Sequence, residues 1–239
     1  VQVRRLYLDQ LGNLWLGSNA GLARWQPERQ RFEALSNEDG SPMRASIYTL
    51  TGDREGRIFA GSHTGLWVVE PGSQVMHGVH PEPGRADSLA SNEVRGLLLD
   101  RQGQLWIDTP HGLELMRKWD GKQGRFEHIS ARLGRPDLYF GSNLLEDKQG
   151  RIWTQWFVLD PKSMHLYTLS KADGLDVGTA WIGSFGTTRD GLFMYGGTQS
   201  LAIIDTERFQ PWDYAPQVVV TDLKINGQAQ PLGRLGLLG

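Results

Sequence analysis

The stretch DQLGNLWLGSNAGL, residues 9–22, places an Asp, a Gly and a Trp at fixed offsets and ends in a second Gly-Leu pair. The same order of residues returns four times, as DREGRIFAGSHTGL (53–66), DRQGQLWIDTPHGL (100–113), DKQGRIW (147–153) and TRDGLFMYGG (188–197). A catalytic motif normally occurs once, whereas a structural unit recurs. The stretch therefore indicates a repeat protein.

The spacing of the units predicts the fold. Their first glycines are Gly12, Gly56, Gly103, Gly150 and Gly191, which lie 44, 47, 47 and 41 residues apart. A period in the forties without a helical 3.6-residue pattern is typical of β-propeller blades with four antiparallel strands each. We predict an all-β propeller with five recognisable blades, at residues 3–46, 47–93, 94–141, 142–183 and 184–213. A separate segment, 214–239, follows them.

The repeated residues are expected to have structural roles. An Asp begins the first hairpin turn of each of the first four units, where its carboxylate can accept backbone N–H groups. The Gly that ends this turn is predicted to take a positive φ. Trp15, Phe59, Trp106 and Trp153 are predicted to fill the space between blades. A carboxylate ring for metal or acid–base chemistry is the alternative for Asp9, Asp53, Asp100 and Asp147, but the turn explains them.

Composition narrows the classes of function. The 239 residues carry a net charge of −2, and no run of Lys or Arg exceeds two, which disfavours nucleic acid and anionic membrane as partners. Cysteine is absent, which excludes disulfides, thiolate catalysis and cysteine-zinc sites. No apolar run approaches the roughly 18 residues that span a bilayer, so we expect a soluble globular chain. No catalytic or nucleotide-binding motif is present and the histidines are scattered, so we predict no catalytic residue, no metal and no cofactor.

One unit carries a resemblance to a known family. The stretch VRGLLLDRQGQLWIDTPHGLELM (94–116), with DSLASNEV (87–94) before it and RFEHI (125–129) after it, resembles the two-component regulator propeller repeat. The tail APQVVVTDLKINGQAQPL (215–232) resembles the opening strands of the Ig-like triple-tyrosine domain that follows such propellers. Units four and five depart from the pattern, which affects their strand boundaries.

The resemblance implies a function. Such propellers form extracytoplasmic sensor regions of bacterial hybrid histidine kinases and some diguanylate cyclases. We therefore expect a non-catalytic, periplasmic sensor region of a membrane-anchored receptor, which binds a small polar ligand or mediates receptor dimerisation. A propeller enzyme of the streptogramin-lyase type and a protein-interaction platform are the alternatives. The tail favours the sensor over an enzyme that ends at its last blade.

The loops between blades are the candidate binding surface. The loops 36–48, 80–95, 130–143 and 170–183 join the outer strand of one blade to the inner strand of the next, and in a propeller they converge on one face around the channel. Arg, Asn and aromatic side chains there suit a sugar or an organic acid. The candidate ligand-binding residues are Arg44, Tyr48, Asn92, Arg95, Tyr139, Asn143 and Trp181. Turn capping by the Asn residues and packing of Tyr139 and Trp181 between blades are the structural alternatives.

The number of blades raises the question of closure. Propellers of the resembling family typically have seven blades, and an arc of five such units would expose the apolar faces of its two end blades. Val1 directly precedes a strand-like run, so the chain is expected to be a piece of a longer one. We expect further blades of the parent receptor, or a second copy in a homodimer, to cover these faces.

Overall fold

A computed structural model describes residues 1–210, 223–225 and 228–230 of the chain. The chain divides into two compact units, residues 1–208 and 209–239. In the second unit the described residues form one hairpin, β21 (Leu223–Ile225) with β22 (Gln228–Gln230). The remainder of the segment predicted to begin an Ig-like domain lies outside the described residues.

The first unit is a ring of five antiparallel blades, which confirms the predicted all-β propeller. Blade 1 contains β1 (Val3–Leu8), β2 (Leu14–Ser18), β3 (Gly21–Gln26) and β4 (Arg31–Ala34). Blade 2 contains β6 (Ile47–Gly52), β7 (Ile58–Ser62), β8 (Gly65–Val69) and β9 (Val75–Val79). The short strand β5 (Ser36–Asn37), from the loop that enters blade 2, pairs in parallel with β9 and extends that sheet to five strands.

The other three blades continue the pattern. Blade 3 contains β10 (Gly96–Leu99), β11 (Leu105–Thr109), β12 (Gly112–Trp119) and β13 (Gly124–His128). Blade 4 contains β14 (Leu145–Glu146), β15 (Ile152–Trp153), β16 (Phe157–Asp160) and β17 (His165–Thr168). The described strands of blade 5 are β18 (Ala180–Thr187), β19 (Phe193–Gly197) and β20 (Leu201–Ile204). The boundary expected between units four and five, after residue 183, falls inside β18.

Helical structure in the described residues is limited to single turns. They are α1 (Ile129–Arg132) after blade 3 and the 3-10 turns Pro27–Arg29 and Lys171–Asp173. Among the described residues no helix is long and apolar enough to cross a bilayer. The first hairpin turns have the predicted backbone, since Gly12, Gly56, Gly103, Gly150 and Gly191 all have φ between +82° and +88°.

Apolar layers between successive blades form the core. The layer between blades 2 and 3 shows their composition: the second and third strands of blade 2 contribute Phe59, Leu66 and Val68, and blade 3 contributes residues such as Leu97 and Ile107. The repeated tryptophans lie in these layers, as predicted. Trp15, Trp106 and Trp153 are 3%, 2% and 1% exposed.

The two end blades have exposed apolar faces. In the repeat register, Leu201 and Ile203 of blade 5 occupy the positions that Leu66 and Val68 hold in blade 2. The blade 2 residues are completely buried, whereas Leu201 and Ile203 are about 60% exposed. On β1 of blade 1, Leu6 and Leu8 are exposed to a similar extent. Blades 1 and 5 therefore meet near the axis without forming the apolar layer found between the other blades.

Candidate functional site

The two ends of each blade differ in their loops. One end of the ring carries the Asp–Gly turns, and the opposite end carries the loops between blades together with the hairpins that join the second and third strands. We call this opposite end the crossover face; its loops span residues 35–46, 80–95, 129–144 and 169–179. The candidate binding residues predicted from the sequence lie in these loops or directly beside them.

The Asp–Gly end is structural, as predicted. The Asp9 carboxylate accepts the backbone N–H groups of Leu11 and Asn13 at 3.0 and 2.8 Å. Its second oxygen accepts the indole N–H of Trp15 at 2.9 Å, and the Asp–Trp pairs of units three and four repeat this bond. Burial alone would raise the pKa of Asp9, but these hydrogen bonds outweigh it and lower the pKa. Asp and Trp thus form one structural pair.

Unit two lacks the indole. Phe59 occupies the Trp position, so the Asp53 carboxylate pairs instead with the guanidinium of Arg57 at 3.2 Å. Here burial raises the pKa of Asp53, with Arg57 acting in the opposite direction. In the first hairpin turn of unit two, the Asp carboxylate is thus bound by an arginine and not by an indole.

Arg95 and Tyr139 are brought together on the crossover face. The Arg95 guanidinium lies 5.2 Å from the centre of the Tyr139 ring and binds both carboxylate oxygens of Glu93, at 2.9 and 3.1 Å. The hydrogen bond to Glu93 raises the pKa of Arg95. The Tyr139 hydroxyl bonds to the Ser142 hydroxyl at 2.5 Å, and the ring packs edge-on against Trp156. Because Glu93 already compensates Arg95, an anionic ligand there would have to compete with it.

Asn143 and Trp181 meet at the entry of β18. The buried Asn143 amide donates to the Trp181 carbonyl at 3.0 Å, and its oxygen accepts the N–H of Gly183 at 2.8 Å. Asn143 thereby joins blade 4 to blade 5. The Trp181 side chain is 66% exposed, so it does not pack between the blades that the structure describes. A rigid backbone presents this indole to solvent.

The other three predicted residues lie apart from these pairs. Arg44 is exposed beside a shallow hollow that Trp67 and His80 also line. The exposed Asn92 has its side-chain oxygen 3.2 Å from Nδ1 of His80. Tyr48 lies at the start of β6, where its ring lies 5.6 Å from the guanidinium of Arg4. The seven predicted residues therefore form two contacting pairs and three separate positions.

Arg5 is a residue that the sequence did not point to. Its guanidinium donates to the carbonyls of Tyr48 at 3.3 Å and Gly183 at 3.4 Å, and so connects blades 1, 2 and 5 near the axis. It lies 5.2 Å from the centre of the Phe185 ring, and burial lowers the pKa of Arg5. Within the described residues it forms no ion pair with a carboxylate. Arg5 is an uncompensated positive charge beside the entry of β18.

Gly183 has a backbone conformation and a close contact with Arg5 that together require glycine at the entry of β18. Its φ is +90°, and a Cβ atom there would lie 2.8 Å from the Arg5 guanidinium carbon. Only glycine accommodates both this backbone and this close approach. Since Asn143 binds one side of Gly183 and Arg5 the other, the backbone that carries Trp181 is held by two neighbouring blades.

Asp108 is a second residue that sequence reasoning missed. Its buried carboxylate accepts the backbone N–H groups of Phe140 at 3.1 Å and Ser142 at 2.7 Å, and so fixes the loop that carries Tyr139. Burial raises the pKa of Asp108 to about 7, and the hydrogen bond from Ser142 opposes this. A signal was present in the sequence, because Asp108 stands where units one and two have glycine.

Comparison with known proteins places the repeat in a family. Residues 88–111 match the two component regulator propeller family. No curated protein matches the chain.

Solved structures share the fold at low sequence identity. The extracellular domain of a putative one component system from B. thetaiotaomicron superposes with a TM-score of 0.66 at 15% identity, over 93% of this chain and 32% of that one. The extracellular domain of a putative hybrid two component system from the same organism superposes with a TM-score of 0.51 at 19% sequence identity. The match covers 98% of this chain and 39% of that one. Virginiamycin B lyase from Staphylococcus aureus superposes with a TM-score of 0.55 at 10% sequence identity. The match covers 86% of this chain and 67% of that one.

This chain thus spans about a third of the length of the first two structures, and all three likenesses concern the fold. The matched residues 88–111 contain SLASN (88–92) of the lead-in, the Asp–Gly turn and Trp106. Of these, the Asp–Gly turn and the Trp recur in units one and four. The chain is thus a five-bladed β-propeller in which residues 88–111, from blade 3 and the loop that enters it, match the two component regulator propeller family.

Proposed function

We propose that this chain is a non-catalytic sensor region from the extracytoplasmic part of a bacterial two-component or diguanylate cyclase receptor. The family match at residues 88–111 supports the signalling class. The two B. thetaiotaomicron structures of the same fold are described as extracellular domains, one of a putative one component system and one of a putative hybrid two component system, which supports the location. Ligand occupancy of the propeller would then be passed to the domains that follow it.

The observation that carries ligand binding is the entry of β18. A tryptophan that is two-thirds exposed has no packing role in the described chain, yet Asn143 and Arg5 hold its backbone from two blades. An indole held in a fixed position is a stacking surface for a sugar ring. Arg5 adds a charge without a carboxylate partner, which would attract an acid group on the same ligand. We therefore propose a small polar ligand, a sugar or an organic acid, beside Trp181.

Calorimetric titration with a panel of neutral sugars, sugar acids and simple organic acids tests this site. Trp181→Ala is expected to abolish binding of any hit, and Arg95→Ala to weaken it if the ligand extends toward Tyr139. Arg135→Ala, an exposed loop residue without an assigned role, is the matched control. Binding that survives both Trp181→Ala and Arg95→Ala would place the ligand elsewhere, and turnover of a hit would contradict the non-catalytic role.

A second part of the proposal concerns the exposed faces of blades 1 and 5. Leu201 and Ile203 hold the register positions that bury against a following blade elsewhere in the ring. Soluble proteins rarely leave such contiguous apolar surface uncovered. We propose that another blade covers it, from the same receptor or from a second copy of the chain in a homodimer.

Light scattering of this chain distinguishes the two sources. A dimer that Ile203→Glu converts to a monomer would assign the face to a second copy. A monomer that gains solubility on the same substitution would assign it to blades of the same receptor. A stable monomer indifferent to Ile203→Glu would contradict the proposal, and Thr187→Glu on the exposed end of β18 is the control.

The propeller enzyme remains the competing function. Virginiamycin B lyase shares the fold, and an exposed Trp181 near Gly183, whose carbonyl the half-buried Arg5 binds, is also compatible with substrate binding. Assaying the chain for lyase activity on a type B streptogramin separates the two, because the sensor role predicts no turnover.

A further inference from the structure

A pocket of about 490 Å³ opens on the crossover face of blade 3. One wall is the loop 81–90 that enters the blade, and the other is formed by α1 and the residues that follow it, to Asp137. Leu113 and Glu114 of β12 also line it. The pocket shares no residue with the pairs formed by Arg95 and Trp181, so it is a separate cavity.

Glu114 is the unusual group of this pocket. It follows the repeated Gly-Leu, where unit one has Ala23 and unit two has Trp67, so the repeat does not require an acid there. Its side chain is 1% exposed. One carboxylate oxygen accepts the backbone N–H of Ala90 at 2.9 Å, and the other, Oε2, has no hydrogen-bond partner. A buried carboxylate oxygen without a donor is costly and calls for an explanation.

His128, the cross-strand neighbour of Glu114, does not supply the missing donor. Its Nδ1 lies 3.7 Å from Oε2 of Glu114, which is too long for a hydrogen bond. Its Nε2 lies 2.8 Å from the Ala86 carbonyl, which requires the proton of the neutral ring to be on Nε2. The lone pair of Nδ1 therefore faces the Glu114 side, and the ring donates no proton to Oε2.

The walls restrict the chemistry of an occupant. Their apolar part includes Pro81, Pro83, Leu89, Leu113 and Pro136. Among the described residues that line the pocket, only the two histidines have aromatic rings, so these residues offer a sugar no indole or phenol surface for stacking.

The charges at the rim exclude anions. The guanidinium of Arg85 is already bound by the Glu82 and Asp87 carboxylates, at 2.6 and 3.1 Å, and by the Gly124 carbonyl. Asp137, on the opposite rim, lies beside His111. The charge that remains uncompensated around the pocket is thus negative.

We infer that this pocket binds a small organic ammonium compound, whose N–H group donates to Oε2 of Glu114 while its hydrocarbon part packs on the prolines and leucines. A primary amine supplies three donors, so it can satisfy Oε2 and also meet Nδ1 of His128. The inference does not depend on the sensor role, because amine binding would be a property of this propeller whatever receptor carries it.

Proton linkage gives the inference a second signature. Burial raises the pKa of Glu114 to about 8, so the empty pocket holds a protonated acid at neutral pH. An ammonium ligand favours the carboxylate and displaces that proton, so its affinity should rise with pH up to about 8 and then level off. The other titratable and charged groups around Glu114 are His128 on β13, Asp108 on β11, Glu82, Arg85 and Asp87 on the entering loop, and His111 and Asp137 at the rim.

The experiment titrates the chain with n-butylammonium chloride and follows the backbone amide of Ala90 by NMR. Saturable shifts of Ala90 that strengthen between pH 6 and 8 are expected, whereas n-butanol and butyrate should bind at least tenfold more weakly. Glu114→Gln is expected to weaken n-butylammonium at least tenfold. Glu127→Gln, which changes a carboxylate of the neighbouring strand that pairs with Arg132, should leave the affinity unchanged.

A second variant keeps the test decisive if Glu114→Gln fails to fold. Ala131 is exposed on α1 and lines the pocket, so Ala131→Trp should fill the cavity and abolish binding without touching Glu114. Equal affinity for n-butanol, unchanged binding in Glu114→Gln, binding that survives Ala131→Trp, or no saturable binding at any pH would each overturn the inference. Loss of sugar or acid binding in Trp181→Ala bears on the sensor site alone.

Discussion

Blades 2 and 3 are built from the same repeat, yet their second and third strands differ in sequence, and three of these differences concern aromatic, glycine and acidic residues. The pairs are Phe59 and Trp106, Gly61 and Asp108, and Trp67 and Glu114. Blade 2 uses apolar side chains and a glycine at all three, whereas blade 3 places two buried carboxylates on its crossover side. The comparison separates what a blade needs in order to fold from what has been added to it.

The Gly61 and Asp108 pair shows how an addition is accommodated. A Cβ atom on Gly61 would lie 2.6 Å from a methyl of Thr49 and 2.9 Å from the Val94 carbonyl, so blade 2 has no space for a side chain there. In blade 3 the next loop is arranged differently, and the N–H of Ser142 points at the carboxylate of Asp108. The larger residue is tolerated because the loop binds it.

The largest expected effect concerns what both blades need, a large apolar side chain between blades. Trp106→Ala should lower the free energy of unfolding by about 3–5 kcal/mol, because it opens a cavity and removes the indole donor from Asp100. Trp181→Ala, which removes the same side chain from an exposed position, should change it by less than about 0.5 kcal/mol. Urea denaturation followed by circular dichroism measures both, and similar values would contradict the structural division between the two tryptophans.

The next effect concerns the added carboxylate of blade 3. Asp108→Ala leaves the buried N–H groups of Phe140 and Ser142 without an acceptor, and should cost about 2–3 kcal/mol. Hydrogen exchange at those two amides should accelerate more than exchange in β11. Asp137→Ala, in the same loop but exposed, is the control. Unchanged exchange at residue 142 would show that the loop does not depend on Asp108.

A smaller effect concerns pH. Burial raises the pKa of Glu114 from 4.5 to about 8, so the folded state binds this proton more tightly than the unfolded state and stability falls as pH rises between those values. Asp108 changes the stability in the same direction as pH rises, but its raised pKa is about 7. Between pH 7 and 8 the loss should therefore come mainly from Glu114, about 1 kcal/mol at most.

Glu114→Gln should remove most of the loss between pH 7 and 8 and about half of the loss at lower pH, where Asp108 contributes the remainder. Thermal unfolding across pH 5–9 measures it, and Glu127→Gln is the control. An identical slope in wild type and Glu114→Gln between pH 7 and 8 would mean that Glu114 is ionised in the folded protein throughout this range.

The fold could be predicted from the sequence because each repeated residue acts locally. The carboxylate of Asp100 binds groups two to six residues away, and the φ of Gly103 belongs to its own turn. Such interactions recur with the period of the chain, so the period reveals them. The start of β18 escaped prediction because unit five retains little of that pattern.

The candidate site could be predicted only in part, because its contacts join distant segments. Arg5 and Gly183 are 178 residues apart, and no local sequence pattern predicts their contact. Two of the missed residues were visible by another route. Aligning the units against one another shows Asp108 and Glu114 as acids where units one and two have glycine, alanine or tryptophan, and such departures from a repeat mark its added features.

The smallest expected effect comes from a substitution that makes blade 2 resemble blade 3. Phe59→Trp places an indole N–H where Trp15 has one, so the Asp53 carboxylate should gain the donor that it lacks. Its pKa, which burial now raises, should fall below the usual value as that of Asp9 does, since the same bond favours the ionised form. A lowered pKa would add stability that is present above the unfolded-state value and is lost as pH falls through the folded-state value. The net change at pH 7 should stay within about 1 kcal/mol, because the larger ring crowds a filled layer. Carboxyl ¹³C NMR titration of Asp53 measures the shift, and Phe59→Leu, which offers no donor, is the matched control. If the pKa of Asp53 stays raised in Phe59→Trp, then the Asp–Trp pair of the repeat is a consequence of packing and does not stabilise the carboxylate.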